Sequence, residues 1–173
     1  MPPDYHPFAP TAAQIRDRRP EISEILPNLF VGEYPRLDDI AWLKQIHRIT
    51  AVLSLQDADD LALKGLDPFL LQRTYKQHQV EFCRVPIPDF NSDAFSLALP
   101  IALSRLEEFL ASEHRVFLHC NAGCNRAPTL AIAYIHASSQ MSLIKARDYF
   151  EARRPCAPYL HILFDFFNVP RIL

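Results

Sequence analysis

Apolar and polar positions fall into short blocks along this chain, and the blocks alternate between two periods. Four compact blocks with apolar residues lie near Glu24–Leu29, Ala51–Leu55, Glu81–Val85 and Val116–His119, the last opening on the continuous apolar run Val116-Phe117-Leu118. Blocks this short predict strands. Longer stretches with apolar residues returning every three or four positions predict helices near Leu37–Ile46, Pro68–His78, Ala94–Ser112, Arg126–Ser138, Ser142–Arg153 and Leu160–Asn168. Strands and helices in alternation predict an α/β fold with a single domain, its partly parallel central sheet flanked by helices on both faces. No repeat, low-complexity tract or second domain interrupts the pattern. The expected division is a loosely ordered arm over 1–21 and one folded domain over 22–173. Open sheets of this kind bind ligands at the carboxyl ends of their strands, so the segment after each strand matters most.

After the last strand comes His119-Cys120-Asn121-Ala122-Gly123-Cys124-Asn125-Arg126, leading into the apolar helix that begins Ala127-Pro128-Thr129-Leu130. A loop joining strand to helix presents unpaired backbone amides and the positive end of the helix dipole, which together favour an anion. Asn121, Ala122, Gly123, Cys124, Asn125 and Arg126 are therefore the expected phosphate-binding residues. Gly123 can take positive φ and lets backbone approach bound oxygens. Cys120 sits at the centre of the cradle, where the same donors stabilise a thiolate and lower its pKa from the free value of about 8.5. Arg126 offers a planar fork for two phosphoryl oxygens. Pro128 fits a first helical turn.

Each of these residues has an ordinary reading when taken singly. A cysteine after an apolar strand is commonly a small buried hydrophobe, and a helix-start arginine is commonly solvated. Their conjunction at fixed offsets in a strand-loop-helix context favours chemistry. Zinc is a poorer explanation, because Cys120 and Cys124 lack a second closely spaced pair.

The loop resembles the signature of the cysteine-dependent protein tyrosine phosphatases, His-Cys-x-x-Gly-x-x-Arg. The segments Ile25–Gly32, Ile49–Leu55 and Arg153-Arg154-Pro155 are similar to the dual-specificity branch. A finer likeness is to the glucan phosphatases, carried by Leu55–Leu61 as an acidic turn, by Pro88–Phe95 as an aspartate loop, and by Gly123–Pro128. The resemblance implies nucleophilic attack on phosphorus by Cys120 and a phosphocysteine intermediate, with no cofactor and no metal. His119 is a supporting residue that orients the loop. One departure stands out: Ala127 occupies the place where most relatives have Ser or Thr. It opens the alternative of a catalytically weak or silent phosphate-binding module, and a sulfurtransferase or arsenate reductase is a third reading.

Expulsion of an alkoxide or phenoxide calls for a proton donor. Asp89 is the candidate, following a strand and preceding a helix at a separation from Cys120 similar to that in dual-specificity phosphatases. Asp93 falls where a helix N-cap is expected. Phe90 and Phe95 flank this loop and Tyr75 is expected beside it; aromatic faces there would suit a sugar chain, although Phe95 and Trp42 read more naturally as core. Substrate remains open between phosphorylated protein and phosphoglucan.

Composition narrows the setting. A formal charge of −2 over 173 residues argues against a nucleic-acid surface, and Arg16, Arg18 and Arg19 read as a solvated flank. No apolar run reaches membrane-spanning length, and the N-terminus carries no secretory pattern. A cytoplasmic monomer with four reduced cysteines is expected. Cys83, on a strand expected to neighbour the one that feeds the loop, and Cys124 are placed to trap an oxidised Cys120.

Overall fold

The structure is a computed structural model that describes residues 17–171. Five strands, β1 (Ile22–Leu26), β2 (Leu29–Gly32), β3 (Ala51–Ser54), β4 (Glu81–Arg84) and β5 (Val116–His119), form one sheet in the order β1-β2-β5-β3-β4. β2, β5, β3 and β4 run parallel, and β1 pairs antiparallel with β2. The single strand expected near Glu24–Leu29 is therefore two. Pro27 and Asn28 form a two-residue turn that folds the segment into a hairpin, and proline at such a corner gives up a donor that no ladder needed.

Among the described residues, seven helices surround the sheet: α1 (Asp39–Ile46), α2 (Ala58–Leu63), α3 (Pro68–Gln77), α4 (Ser92–Ala111), α5 (Arg126–Ser138), α6 (Leu143–Glu151) and α7 (Leu160–Phe166). Successive strand residues point to opposite faces, and the core divides accordingly. Leu29, Val31, Ala51, Leu53, Val116 and Leu118 pack with α4 to α7, whereas Phe30, Val52 and Phe117 pack with α1 to α3. The short helix α2 lies where only an acidic turn was expected. A reciprocal cap stabilises it: Asp57 accepts from the Asp60 amide at 2.8 Å, and Asp60 accepts from the Asp57 amide at 3.1 Å.

Several expectations need correction. The N-cap of α4 is Asn91, whose Oδ1 accepts from Ala94 N at 2.9 Å, and Asp93 lies exposed within the first turn. Asn91 holds the extended backbone that a cap requires, and its amide oxygen serves as well as a carboxylate would. Cys83 is on β4, which β3 separates from β5, so it does not neighbour the strand feeding the loop. Arg18 and Arg19 are not simply solvated. Arg18 pairs with Glu33 at 2.8 Å, and Arg19 reaches the fully buried Asp39 at 2.8 Å. Arg16, and the expected arm apart from residues 17–21, lie outside the described residues.

Because β3, β4 and β5 are parallel, their carboxyl ends lie at one edge of the sheet. The segments leading to Asp60, to Asp89 and to the 119–126 loop therefore meet there.

Candidate active site

The loop after β5 is held from outside by its carbonyls. Asn121 O accepts from Tyr34 N at 3.0 Å and Cys124 O from Ala157 N at 2.7 Å. The buried Arg154 takes the next two, donating from Nη2 to Ala122 O at 3.0 Å and from Nε to Gly123 O at 2.8 Å. Among the described residues, no backbone amide from Asn121 to Arg126 donates to another protein group outside the helix. A trans peptide with its carbonyl held outward turns its N–H inward, so these amides form an unpaired nest of donors.

Glycine is required at the bend. Gly123 has φ +66°, and a Cβ there would lie 2.5 Å from the Gly32 carbonyl group and 2.8 Å from Arg154 Nη2. A Cβ on Gly32 would lie 2.4 Å from Glu21 O. The end of β2 thus packs backbone to backbone against the back of the loop.

Cys120 is 3 % exposed and Arg126 is 1 % exposed. The guanidinium of Arg126 is divided in use. Nη1 donates to Asp60 Oδ2 at 2.7 Å, to Ile87 O at 2.6 Å and to Leu55 O at 3.4 Å, while Nη2 lies 3.1 Å from Asp89 Oδ2. That approach lacks hydrogen-bond geometry, because Nε and Nη2 are both buried without an accepting partner. These two nitrogens share one edge of the guanidinium, the fork that grips two oxygens of a carboxylate or phosphate. Burial opposes the charge on Arg126, but the hydrogen bond to Asp60 and the nearby Cys120, Asp60 and Asp89 outweigh it and raise its pKa.

Asp60 is the residue that the sequence reading passed over. It is 4 % exposed, anchors Arg126 through one oxygen, and accepts from Asn121 Nδ2 through the other. Asn121 Nδ2 also reaches Asp89 Oδ2 at 3.3 Å, and its Oδ1 accepts from Gln56 Nε2 at 2.8 Å. The side chain of Asn121, expected to contribute only its amide, ties α2, the 119–126 loop and the aspartate loop together. A run of three acids within Asp57–Asp60 was the available signal.

His119 is buried, and its Nδ1 lies 3.1 Å from Cys120 O. A carbonyl can only accept, so Nδ1 carries the proton and Nε2 is left as an acceptor. Burial pushes the His119 pKa down to about 4; the bond to the Cys120 carbonyl opposes that shift and the charge of Arg126 adds to it. Among the described residues Nε2 has no hydrogen-bond partner, and neither has the buried Tyr75 hydroxyl, which lines the same small internal void. Tyr75 is 1 % exposed and stacks on Phe82 with ring centroids 4.4 Å apart, so it belongs to the core and not beside the aspartate loop. Phe95 is fully buried, and Trp42 is partly buried against the core on the other face of the sheet. Phe90 is 93 % exposed at φ +54°, and its amide donates to Asp89 Oδ1 at 3.1 Å. Asn125 precedes α5 and donates from Nδ2 to Ala157 O at 2.6 Å; Cys124 is exposed, and Ala127 is fully buried. The arrangement thus brings a buried sulfur, a ring of inward amides and the Asp89 carboxylate to one place. All four cysteines are free. Among the described residues there is no group of three or more metal-binding side chains and no helix long and apolar enough to cross a membrane.

Comparison with known proteins places this geometry. Residues 29–166 match the family described as dual specificity phosphatase, catalytic domain. Laforin of Mus musculus is 28 % identical over 144 residues, covering 77 % of this chain and 44 % of laforin. Phosphoglucan phosphatase DSP4, amyloplastic, of Castanea sativa is 29 % identical over 139 residues, with 79 % and 37 % covered. Human dual specificity protein phosphatase 2 is 29 % identical over 131 residues, with 76 % and 37 % covered. The chain thus spans less than half the length of each of these relatives. Among solved structures, the human tyrosine phosphatase-like serine/threonine/tyrosine-interacting protein superposes with a TM-score of 0.71 at 24 % identity, covering 88 % of this chain and 98 % of that one. The active form of Tk-PTP gives 0.69 at 22 % identity, covering 85 % and 93 %. At these identities the structural likeness speaks for the fold alone.

Proposed function

The chain belongs to the dual specificity phosphatase catalytic-domain family, and on that premise we propose that it hydrolyses phosphate monoesters through a phosphocysteine intermediate. One observation carries the reading: the Nε/Nη2 edge of Arg126 is buried and, among the described residues, has no hydrogen-bond acceptor, beside a loop of amides that also lack one. Burying donors without acceptors costs about 1–3 kcal/mol each. A tetrahedral oxyanion held in the loop supplies acceptors to all of them.

In the first step the Cys120 thiolate attacks phosphorus, the P–O bond to the leaving group breaks, and Asp89 gives that oxygen a proton. In the second, water attacks phosphorus as Asp89 takes its proton, the S–P bond breaks, and phosphate departs. Arg126 and the loop amides stabilise charge on the equatorial oxygens in both steps. Neutral His119 fixes the Cys120 carbonyl outside the nest. Ala127 places no hydroxyl near the departing thiolate, so the second step is the slower one in this reading. The mechanism uses no cofactor. The substrate is a phosphorylated protein or a phosphoglucan, and Phe90, held exposed beside Asp89, is a surface on which either a side chain or a sugar ring can rest. Four free thiols support a reducing, cytoplasmic setting.

Hydrolysis of para-nitrophenyl phosphate tests the chemistry. It is expected to vanish in Cys120→Ser and to lose its basic limb dependence in Asp89→Asn, and acid quenching during turnover should trap phosphate on sulfur, visible by phosphorus NMR. Tight phosphate binding without turnover would instead make the chain a phosphate-binding module. Release of phosphate from phosphorylated amylopectin, measured beside release from phosphopeptides, separates the two substrate classes.

A further inference from the structure

One surface beside the catalytic edge combines features that the hydrolysis does not use. β4 is an edge strand. Glu81 N donates to Thr50 O and Val85 N to Ser54 O, both at 2.9 Å. The alternation of the ladder therefore turns the N–H and C=O groups of Phe82 and Arg84 toward the open side, ready to pair with another extended chain. Between this strand, α2 and α3 runs a groove of about 350 Å³ lined by Leu61, Pro68, Phe69, Leu71, Phe82 and Arg84. Phe69 is 85 % exposed on its rim, with Leu63 and Leu70 also exposed nearby in sequence. Arg84 makes a single long hydrogen bond, from Nη1 to Gln56 O at 3.4 Å. It has no carboxylate partner among the described residues. Gln56 in turn holds Asn121 of the loop, so the cationic end of the groove is the end nearer the phosphate site.

Open main-chain groups, an apolar trough and an unpaired cation call for three different complements. An extended peptide supplies all three: its backbone to the edge, one side chain to the trough, and a carboxylate to the guanidinium. A phosphoglucan can bring an anion but not the regular main-chain donors and acceptors that an open strand edge pairs with. We propose that the groove between α3 and β4 receives an extended segment of a phosphoprotein substrate, seating a large apolar side chain against Leu61 and Phe82 and an acidic side chain on Arg84. This inference rests on the phosphatase reading above and narrows its substrate to protein.

The test uses phosphotyrosine and phosphothreonine peptides in which a Leu-x-Glu pair is scanned along both sides of the phosphoresidue, with Ala-x-Ala and Leu-x-Lys counterparts. Wild type should favour the Leu-x-Glu peptide at one register by about tenfold in kcat/KM, as burial of one apolar side chain and one exposed ion pair would give. Arg84→Glu should abolish that preference through KM, shift it toward Leu-x-Lys, and leave para-nitrophenyl phosphate hydrolysis unchanged. Phe69→Asp should reduce it as well. Deuterium exchange at the Phe82 and Arg84 amides of the Cys120→Ser protein should slow with the Leu-x-Glu peptide and not with Ala-x-Ala, a readout independent of the groove variants. Indifference of wild type to the pair, a preference that survives Arg84→Glu, or unaltered exchange would overturn the proposal while leaving the phosphatase reading intact. Variants that impair release from phosphorylated amylopectin but not from peptides would assign the groove to a glucan and overturn it too. Failure on para-nitrophenyl phosphate and on every peptide would instead remove the phosphatase reading itself.

Discussion

Replacing Asp60 by alanine removes what is, among the described residues, the only carboxylate hydrogen-bonded to the buried guanidinium of Arg126. Both partners are almost inaccessible, with side chains 1 % and 6 % exposed and a separation of 2.7 Å, so solvent screens the pair little and water cannot replace the lost oxygen. Truncating one partner of such a pair costs about 3–5 kcal/mol. The Ile87 and Leu55 carbonyls keep Nη1 partly satisfied, which favours the lower end, about 3 kcal/mol; loss of the bond that caps Asp57 N adds about 1 kcal/mol. Catalysis should suffer separately. An arginine free to swing no longer presents its fork, and a lost oxyanion donor is worth about 10²–10³-fold. Urea unfolding measures the first effect and kcat/KM on para-nitrophenyl phosphate the second. A double-mutant cycle with Arg126→Ala should recover about 2 kcal/mol of coupling or more, within the range seen for residues in contact. A loss below about 1 kcal/mol, or simple additivity in the cycle, would refute the claim that Asp60 anchors the arginine.

Other expectations follow from the same geometry. Gly123→Ala forces a Cβ against the Gly32 carbonyl in a left-handed backbone; it should lower kcat/KM by about 100-fold or more, and a near-normal rate would show that the loop can bend without loss. His119 is neutral in the fold down to about pH 4, whereas the unfolded chain begins to bind that proton near 6.5. Its contribution is therefore complete above about 6.5 and is lost as pH falls toward 4, by about 3 kcal/mol in all. His119→Asn should flatten urea stability over that interval, and equal slopes in the two proteins would refute the assignment. Tyr75→Phe removes a buried hydroxyl that has no hydrogen-bond partner among the described residues, so thermal unfolding should show a gain of up to about 1 kcal/mol, whereas a loss would mean that the hydroxyl is bonded to His119.

The 119–126 segment was legible as a loop joining strand to helix because its features are local: cysteine, bend and arginine sit within eight residues, and the flanking apolar runs announce the strand and helix. The alternation of β3, β5 and the long helices was legible for the same reason. What escaped depends on distant partners. Asp60 looks like any acid near a turn, and only the parallel neighbouring of β3 and β5 brings it to Arg126. Arg154 reads as one of two adjacent basic residues, yet it carries the carbonyls of Ala122 and Gly123. The hairpin of β1 and β2 was merged because Pro27-Asn28 interrupts the apolar run too briefly to show as a loop. Helix α2, six residues long, is shorter than the window in which a helical period can be counted.

The outward clamping of four successive segments of that loop has a thermodynamic signature. Since Tyr34, Arg154 and Ala157 already fix the peptide planes, an arriving oxyanion orders almost nothing. Calorimetric titration with tungstate should accordingly record association dominated by enthalpy, with a heat-capacity change too small to signal coupled folding.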